Sequence, residues 1–350
     1  MAAVLAGDAS DECGRHWTDE STSARRYHRR VITVLAGGVG AARLLRGLAM
    51  ATEPSSIRAV VNTGDDAVVH GLHVSPDIDT VIYTLAAAID PERGWGLSNE
   101  SWRAMSALTR YSGARPPGSI AGSTWFNLGD QDLATHLYRT GRLAEGATLT
   151  EVTDEIRRAW GVETTVVPMT DDRVRTMVTV DEDVDGARAG SEISFQDYFV
   201  RLRHEPRVRA VRFEGAATAA ANVETWCHGP IVIAPSNPIV SIGPIRALSG
   251  VDASLAANRA RVVAVSPIVA GAALKGPADR LMADLGHESS VVGVARAYAP
   301  ICGHLVIDRR DEAHAGAVEA EGMRCTVTDT VMTTPAVAAA LGEVVLRVLS

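Results

Sequence analysis

Apolar residues first cluster at Val31-Ile-Thr-Val-Leu-Ala36, a β-branched run too short for a helix and closed by Gly37 and Gly38. That pattern predicts a strand buried on both faces. Leu44, Leu45 and Leu48 then recur at helical spacing within Ala41 to Met50, and Ile57 to Asn62 repeats the strand pattern. A strand, a glycine turn, a helix and a second buried strand make a βαβ unit, so the first-level expectation is a parallel sheet. The same grammar returns at Pro230-Ile-Val-Ile-Ala234 and Arg261-Val-Val-Ala-Val265, followed by helical spacing near 277–286 and 334–349. Residues 91–205 read differently, with helices expected near 99–111, 130–141 and 148–160 and strands near 164–168 and 175–181. They are taken as a mainly helical insertion over the ligand edge of a Rossmann-like α/β domain spanning 31–350. Gly113 to Gly122 reads as a loop within it. Residues 1–30 are polar, mixed in charge and aperiodic, and are expected to be a disordered extension.

Composition narrows the function classes. The chain has 350 residues and a formal net charge of −8, so no global basic field favours nucleic acid. Four scattered cysteines, Cys13, Cys227, Cys302 and Cys325, form no CxxC pair and are expected as free thiols in a reducing cytoplasm. No apolar run approaches the roughly 20 residues that span a bilayer. Met1 to Gly7 lacks the basic leader of a signal peptide. The expectation is a cytoplasmic protein with neither a membrane nor a nucleic-acid partner.

Four segments can carry chemistry. Gly37-Gly-Val-Gly-Ala-Ala-Arg43 joins strand to helix, where Gly37, Gly38 and Gly40 let a ligand approach the backbone. Arg43 stands where a dinucleotide fingerprint needs its third glycine, and there is no Gly-Lys-Ser/Thr ending. A plain tight turn is the competing reading. Asn62-Thr-Gly-Asp-Asp66 and Ser75-Pro-Asp-Ile-Asp-Thr80 bring four carboxylates into fifteen residues. Oxygen ligands at strand ends suit Mg²⁺ on a diphosphate. Asp79 also reads as a helix cap for Thr80 to Ile89.

Ala234-Pro-Ser-Asn-Pro-Ile-Val-Ser-Ile-Gly-Pro-Ile245 offers Ser236, Asn237, Ser241 and Gly243 as uncharged partners for a nucleotide or sugar. Ser266 follows the next strand and Lys275 could neutralise a phosphate. In Trp125-Phe-Asn-Leu-Gly-Asp-Gln-Asp-Leu-Ala-Thr-His136 the aromatic pair offers flat surfaces, although such pairs are more often core. Asp130 reads as an N-cap, and His136 as a general base against the commoner structural histidine. Arg201-Leu-Arg-His-Glu-Pro-Arg-Val-Arg209 reads as a solvated face or a guide for an anionic donor.

In this order, Gly37-Gly-Val-Gly, Val61-Asn-Thr-Gly-Asp-Asp, Ser75-Pro-Asp-Ile-Asp-Thr, Leu128-Gly-Asp-Gln-Asp-Leu-Ala-Thr-His, Pro235-Ser-Asn-Pro-Ile-Val-Ser-Ile-Gly-Pro-Ile and Val265-Ser-Pro-Ile-Val resemble the CofD/FbiA family. That family comprises the 2-phospho-L-lactate or phosphoenolpyruvate transferases of coenzyme F-420 biosynthesis. The resemblance runs from about Val31 to the C-terminus. It implies a Rossmann-like core, Mg²⁺, release of GMP and a homodimer. It further implies that a guanylylated phospho-acid donor is attacked by the ribityl hydroxyl of the deazaflavin alcohol FO. The acid is a three-carbon carboxylate: lactate, enolpyruvate or glycerate. Carried over by position, the Asp65/Asp66 pair and Asp79 resemble the metal carboxylates; the pairing of Asp65 with Asp66 itself makes these two the catalytic candidates to take the hydroxyl proton. Asp79 and Asn127 resemble the FO contacts, and the residues of the same segment add Trp125, as a flat surface, and Asp130 to the FO side. The Pro235–Pro244 turn, with Ser236, Asn237, Ser241 and Gly243, and the Ser266–Gly271 turn resemble the donor pocket, to which Gly37, Gly38, Gly40 and Lys275 are added as the anion contacts read above. Two rival readings are a dinucleotide-dependent oxidoreductase, which Arg43 and the aspartate-rich turn oppose, and a non-catalytic nucleotide or sugar-nucleotide sensor.

Overall fold

Ile32–Ala36 is buried at all five positions in the computed structural model, because this strand (β1) lies at the centre of a sheet covered on both faces. The structure describes residues 31–349, apart from 117, 118, 120, 122–124 and 222–228. The expected extension at 1–30, part of the Gly113–Gly122 loop, Cys13 and Cys227 therefore lie outside the described residues.

In chain order the following strands are β2 (Ile57–Val61), β3 (Ala67–Val69), β4 (Leu72–Val74), β5 (Thr165–Pro168), β6 (Arg175–Val180), β7 (Glu192–Ser194) and β8 (Val208–Glu214). Then come β9 (Ile231–Ile233), β10 (Val262–Val265), β11 (Ile268–Val269), β12 (Ala272–Ala273), β13 (His304–Asp308) and β14 (Arg324–Thr328). Seven of them form one sheet in the order β14-β13-β10-β9-β1-β2-β5. All six pairings in it are parallel. Side chains alternate between its faces. Leu35, Val60 and Ile233 enter one core, and Val34, Ala36, Val61 and Val232 the other. Each fully buried aliphatic side chain contributes about 1.5–3 kcal/mol by leaving water. This is the doubly wound α/β arrangement, as expected.

Strand order reverses between β1 and β9, β2 and β5 being added on one side of β1 and β9, β10, β13 and β14 on the other, and the carboxyl edge of an open sheet at such a switch point is where a crevice forms. The helix after β1, α1 (Gly38–Ala51), abuts the turn after β9 so closely that a Cβ at Gly40 would overlap the Pro235 carbonyl. The C-terminal helix Pro335–Leu349 crosses α1 at another pair of small residues. A Cβ at Gly47 would strike the Ala338 carbonyl, and one at Gly342 would lie 2.9 Å from the backbone of Gly47.

The middle of the chain differs from expectation in three respects. β5 lies in the main sheet beside β2, so the presumed insertion is interrupted by a sheet strand. As an edge strand it buries only alternate positions, and locally it reads like any small-sheet strand. β6, β7 and β8 form a separate antiparallel sheet reaching past residue 205. The expected helix at 99–111 shrinks to α3 (Arg103–Leu108) and one 3-10 turn, Thr109–Tyr111. Between them, α2 (Pro76–Leu85) follows the β3–β4 hairpin, while α4 (Asp132–Ala144) and α5 (Leu149–Ala159) precede β5.

Candidate active site

β2 ends at Val61, and the chain then turns through Asn62-Thr-Gly-Asp-Asp66 at the carboxyl edge of the sheet. Asn62 builds this turn: its amide oxygen accepts from Gly64 N–H (2.8 Å), while its nitrogen donates to Asp77 Oδ2 (3.0 Å). Asp77 Oδ1 accepts from Gly38 N–H at 2.8 Å, so one carboxylate ties the glycine turn after β1 to the turn after β2. Gly38 has φ +74°, the left-handed region that favours glycine. α2 starts at Pro76, not at Thr80 as the cap reading of Asp79 required. Asp77 and Asp79 sit in its first turn, where the helix dipole favours anions.

Asp65, Asp66, Asp77 and Asp79 are thereby gathered below the surface; Asp65 is 7% and Asp79 5% exposed. Asp66 Oδ2 accepts from Ser75 Oγ (2.6 Å) and the Asp65 carbonyl from Gln196 Nε2 (2.9 Å). By contrast, Asp65 Oδ1 and Asp66 Oδ1 are buried and have no hydrogen-bond partner. Burial, then the charge of Asp77, holds the Asp65 carboxyl well above the usual range. Burial does the same to Asp66, opposed by Ser75 and Arg139. Burial also raises Asp77, to about 6, against hydrogen bonds from Asn62 and Gly38. Two orphaned carboxylate oxygens among crowded acids are what a hard divalent cation satisfies, so the residues present fit Mg²⁺.

Asp79 is placed differently from its expected partners. Its two oxygens are held by both terminal nitrogens of Arg139, one at 3.1 Å, and Arg139 is fully buried. Arg139 also donates to the His73 carbonyl (3.4 Å) and lies 3.2 Å from His136 Nδ1. Asp79, Asp132 and His136 could geometrically surround an ion. The guanidinium against Asp79 makes that position unfavourable for one, because a second cation there would meet its charge. His136, 1% exposed and flanked by Asp132 at 3.4 Å, is a structural histidine here rather than a base open to substrate. Tyr83 completes the group, donating to Asp132 (2.7 Å) and lying 2.8 Å from Thr135.

Among the FO candidates, Trp125 and Asn127 are exposed, and Trp125 meets Phe126 edge-on with centroids 5.7 Å apart. Asp130 does not cap its own helix. It accepts from Ser101 Oγ and from the N–H groups of Arg103 and Ala104 (both 3.0 Å), capping α3 instead. Most donor candidates meet at the switch point. Gly37 N–H donates to Ser236 Oγ (3.2 Å), and a Cβ on Gly37 would lie 2.7 Å from Ser241 Cβ. Asn237 Oδ1 accepts from Ile239 N–H (2.9 Å), leaving its buried Nδ2 without a partner. Gly243 starts a short helix under the Phe213 ring. Ser266 instead closes its own turn, accepting from Ile268 N–H at 3.2 Å.

Lys275 is at the rim, donating to the Arg93 carbonyl (3.0 Å). Partial burial and Arg43 lower its ammonium. Arg43 is close enough to Lys275 and to Arg46, one turn further along α1, for its charge to add to burial in lowering both. In the Arg201–Arg209 run, Arg201 pairs with Asp197 at 2.8 Å.

Asn62, Ser75 and Asp77 were within reach of sequence reasoning, being inside the aspartate segments. Arg139 carried only a weak signal, three residues beyond His136 on one helix face, and Gln196 carried none.

A pH dependence follows from the raised carboxyls. A group protonated more readily when folded adds stability that is complete below its ordinary value of 3.8 and is lost as pH rises through the folded value. In EDTA, the melting temperature is therefore expected to fall as pH rises from about 4 to about 6. Asp77 alone accounts for on the order of 3 kcal/mol of that loss. Asp77→Asn should flatten the profile; an equally steep profile in that variant would exclude Asp77 as its source.

Comparison with known proteins places this geometry in context. Residues 32–343 match the family model described as 2-phospho-L-lactate transferase CofD. A phosphoenolpyruvate transferase of Kitasatospora aureofaciens is 41% identical over 309 residues, 86% of this chain and 92% of that protein. One from Mycobacterium avium (strain 104) is 38% identical over 331 residues, 88% and 95% of the two chains. A crystal structure of a UPF0052 family member from Bacillus halodurans superimposes with a TM-score of 0.56 at 16% identity, over 90% of this chain and 98% of that one. That last likeness concerns the fold alone.

Proposed function

Since the chain belongs to the 2-phospho-L-lactate transferase CofD family and so is an enzyme transferring a phospho-acid group in F-420 biosynthesis, we propose that it moves a phosphoenolpyruvyl group from enolpyruvyl-diphospho-guanosine to the ribityl hydroxyl of FO. The enolpyruvyl form is preferred over the phospholactyl form because the relatives at 41% and 38% identity are phosphoenolpyruvate transferases. The hydroxyl oxygen bonds to the phosphorus bearing the acid, the bridge to the guanylyl phosphate breaks, and GMP leaves. Family membership sets aside the oxidoreductase and sensor readings.

The carrying observation is the pair of buried, unpartnered oxygens on Asp65 and Asp66 beside the glycine turn. A diphosphate repels an attacking oxygen, and a divalent cation bound by these carboxylates would offset that charge and stabilise the departing phosphate. Asp77 keeps the turns after β1 and β2 in register, so that donor and acceptor meet in line. The donor lies along Gly37, Gly38, Gly40 and the Ser236–Gly243 turn, with Lys275 at the rim. FO lies along Asp79, Trp125 and Asn127, with Asp130 bracing that segment. One carboxylate of the adjacent pair, Asp65 or Asp66, takes the hydroxyl proton. Asp79, once grouped with the metal carboxylates, acts in this reading through its Arg139-fixed position. The homodimer is part of the same proposal.

The test is incubation with FO, the enolpyruvyl or lactyl donor and Mg²⁺, followed by mass spectrometry of products. GMP and a dehydro-F-420-0 mass with the enolpyruvyl donor are expected, and both should vanish in EDTA. Absence of GMP with every donor would remove the proposal.

A further inference from the structure

Arg93, in the segment linking α2 to α3, is stacked between two tryptophans. Its guanidinium carbon lies 5.1 Å from the Trp95 ring centroid and 5.0 Å from that of Trp102. The stack is held in place. Arg93 pairs with Asp90 (2.9 Å) and donates to the Leu97 carbonyl (3.0 Å), while Asp90 Oδ1 accepts from the N–H groups of Glu92 and Arg93. Lys275 reaches from the far side of the crevice to the Arg93 carbonyl.

This strap lies over the glycine turn. Gly94 has φ +76°, and a Cβ there would be 3.2 Å from Val39 Cγ1 and 2.7 Å from Lys275 Nζ. Val39 follows Gly38, whose N–H is bonded to Asp77, so the strap is two residues from the acidic pocket. Yet Trp95, immediately after Gly94, remains 47% exposed. The Trp95 ring is thus pinned by a guanidinium and half exposed, next to a glycine that packs on Val39 of the glycine turn. It is an efficient surface for a flat heterocycle.

We propose that Trp95 is the stacking platform for the tricyclic ring of the acceptor alcohol. The proposal rests on the acceptor reading given above and adds to it a positioned aromatic that the expected FO contacts do not include. The acceptor is favoured over the guanine base because the strap continues directly from α2, which carries Asp77 and Asp79. Of the residues expected for the donor, the strap meets only the glycine turn, through Val39, and Lys275 at the rim, whereas Ser236, Asn237, Ser241 and Gly243 follow β9. The Arg93 guanidinium behind the ring fixes its plane, so little ordering remains when a ligand stacks.

Trp95→Ala and Trp95→Phe are to be compared with the unaltered chain in steady-state transfer and in titrations following the fluorescence of FO. Stacking on an aromatic contributes about 1–3 kcal/mol, so Trp95→Ala should raise KM and Kd for FO about tenfold or more. Trp95→Phe should recover part of that loss, and the donor KM and the melting temperature should not move. An FO affinity unchanged in Trp95→Ala, or a loss confined to the donor KM, would overturn the platform while leaving the transferase reading intact. An unaltered chain that neither binds FO nor forms product would end both.

Discussion

Asp65→Asn is expected to slow transfer on the order of 10³-fold, equivalent to about 4 kcal/mol of transition-state stabilisation. The same substitution is expected to make the metal-free protein more stable. Both effects have one cause. Asp65 is buried with an unpartnered oxygen, and burial and Asp77 hold its carboxyl well above the usual range. Its charge destabilises the empty fold and is useful only once a cation meets it. Asparagine keeps the shape and removes the charge. Relief of one buried like-charge interaction should stabilise the protein in EDTA on the order of 1–3 kcal/mol. The measurements are kcat/KM at saturating Mg²⁺ and the melting temperature in EDTA. A variant retaining wild-type turnover would remove Asp65 from the reaction. One losing both activity and stability would show that its role is structural.

Arg139→Met is expected to have the largest effect on stability, a loss of about 3–5 kcal/mol. Arg139 is fully buried and its guanidinium holds both oxygens of Asp79. Without it, the Asp79 carboxylate stays buried near Asp66 with only the His136 imidazole, 3.8 Å away, beside it. The double variant Asp79→Leu with Arg139→Met removes the stranded charge and should recover most of the loss, since an apolar pair can replace a buried ion pair at little cost. Urea denaturation of the single and double variants measures this. Equal destabilisation in both would show that packing of the arginine stem, rather than its charge, carries the effect. The double variant should still fail in transfer, because the acceptor side would have lost the carboxylate fixed in place there.

Local pattern was enough for the sheet's centre. Ile32–Ala36, Ile57–Val61, Ile231–Ile233 and Val262–Val265 are apolar apart from Thr33 and Arg58, and near-continuous runs of this kind are what strands of a sheet covered on both faces show. The glycine turn and the aspartate pair were legible for a related reason. Close backbone approach and crowded carboxylates leave residue types that few other structures require. Edge and late elements were less legible. β5 alternates like a strand of any small sheet, and β13 and β14 sit among weakly periodic sequence.

What the sequence by itself determined was the doubly wound core and the four segments that meet at its carboxyl edge. Only the tertiary structure decided which side chains meet there. It joined Asp77 to Gly38 across 39 positions, gave Asp79 to Arg139 across 60, and set Lys275 against Arg93 across 182. It also turned Asp130 to α3. Periodicity reports which face of an element is buried, because burial is a property of the element. The partner of a buried charge depends on how separate elements pack, and nothing in the local sequence records that distance.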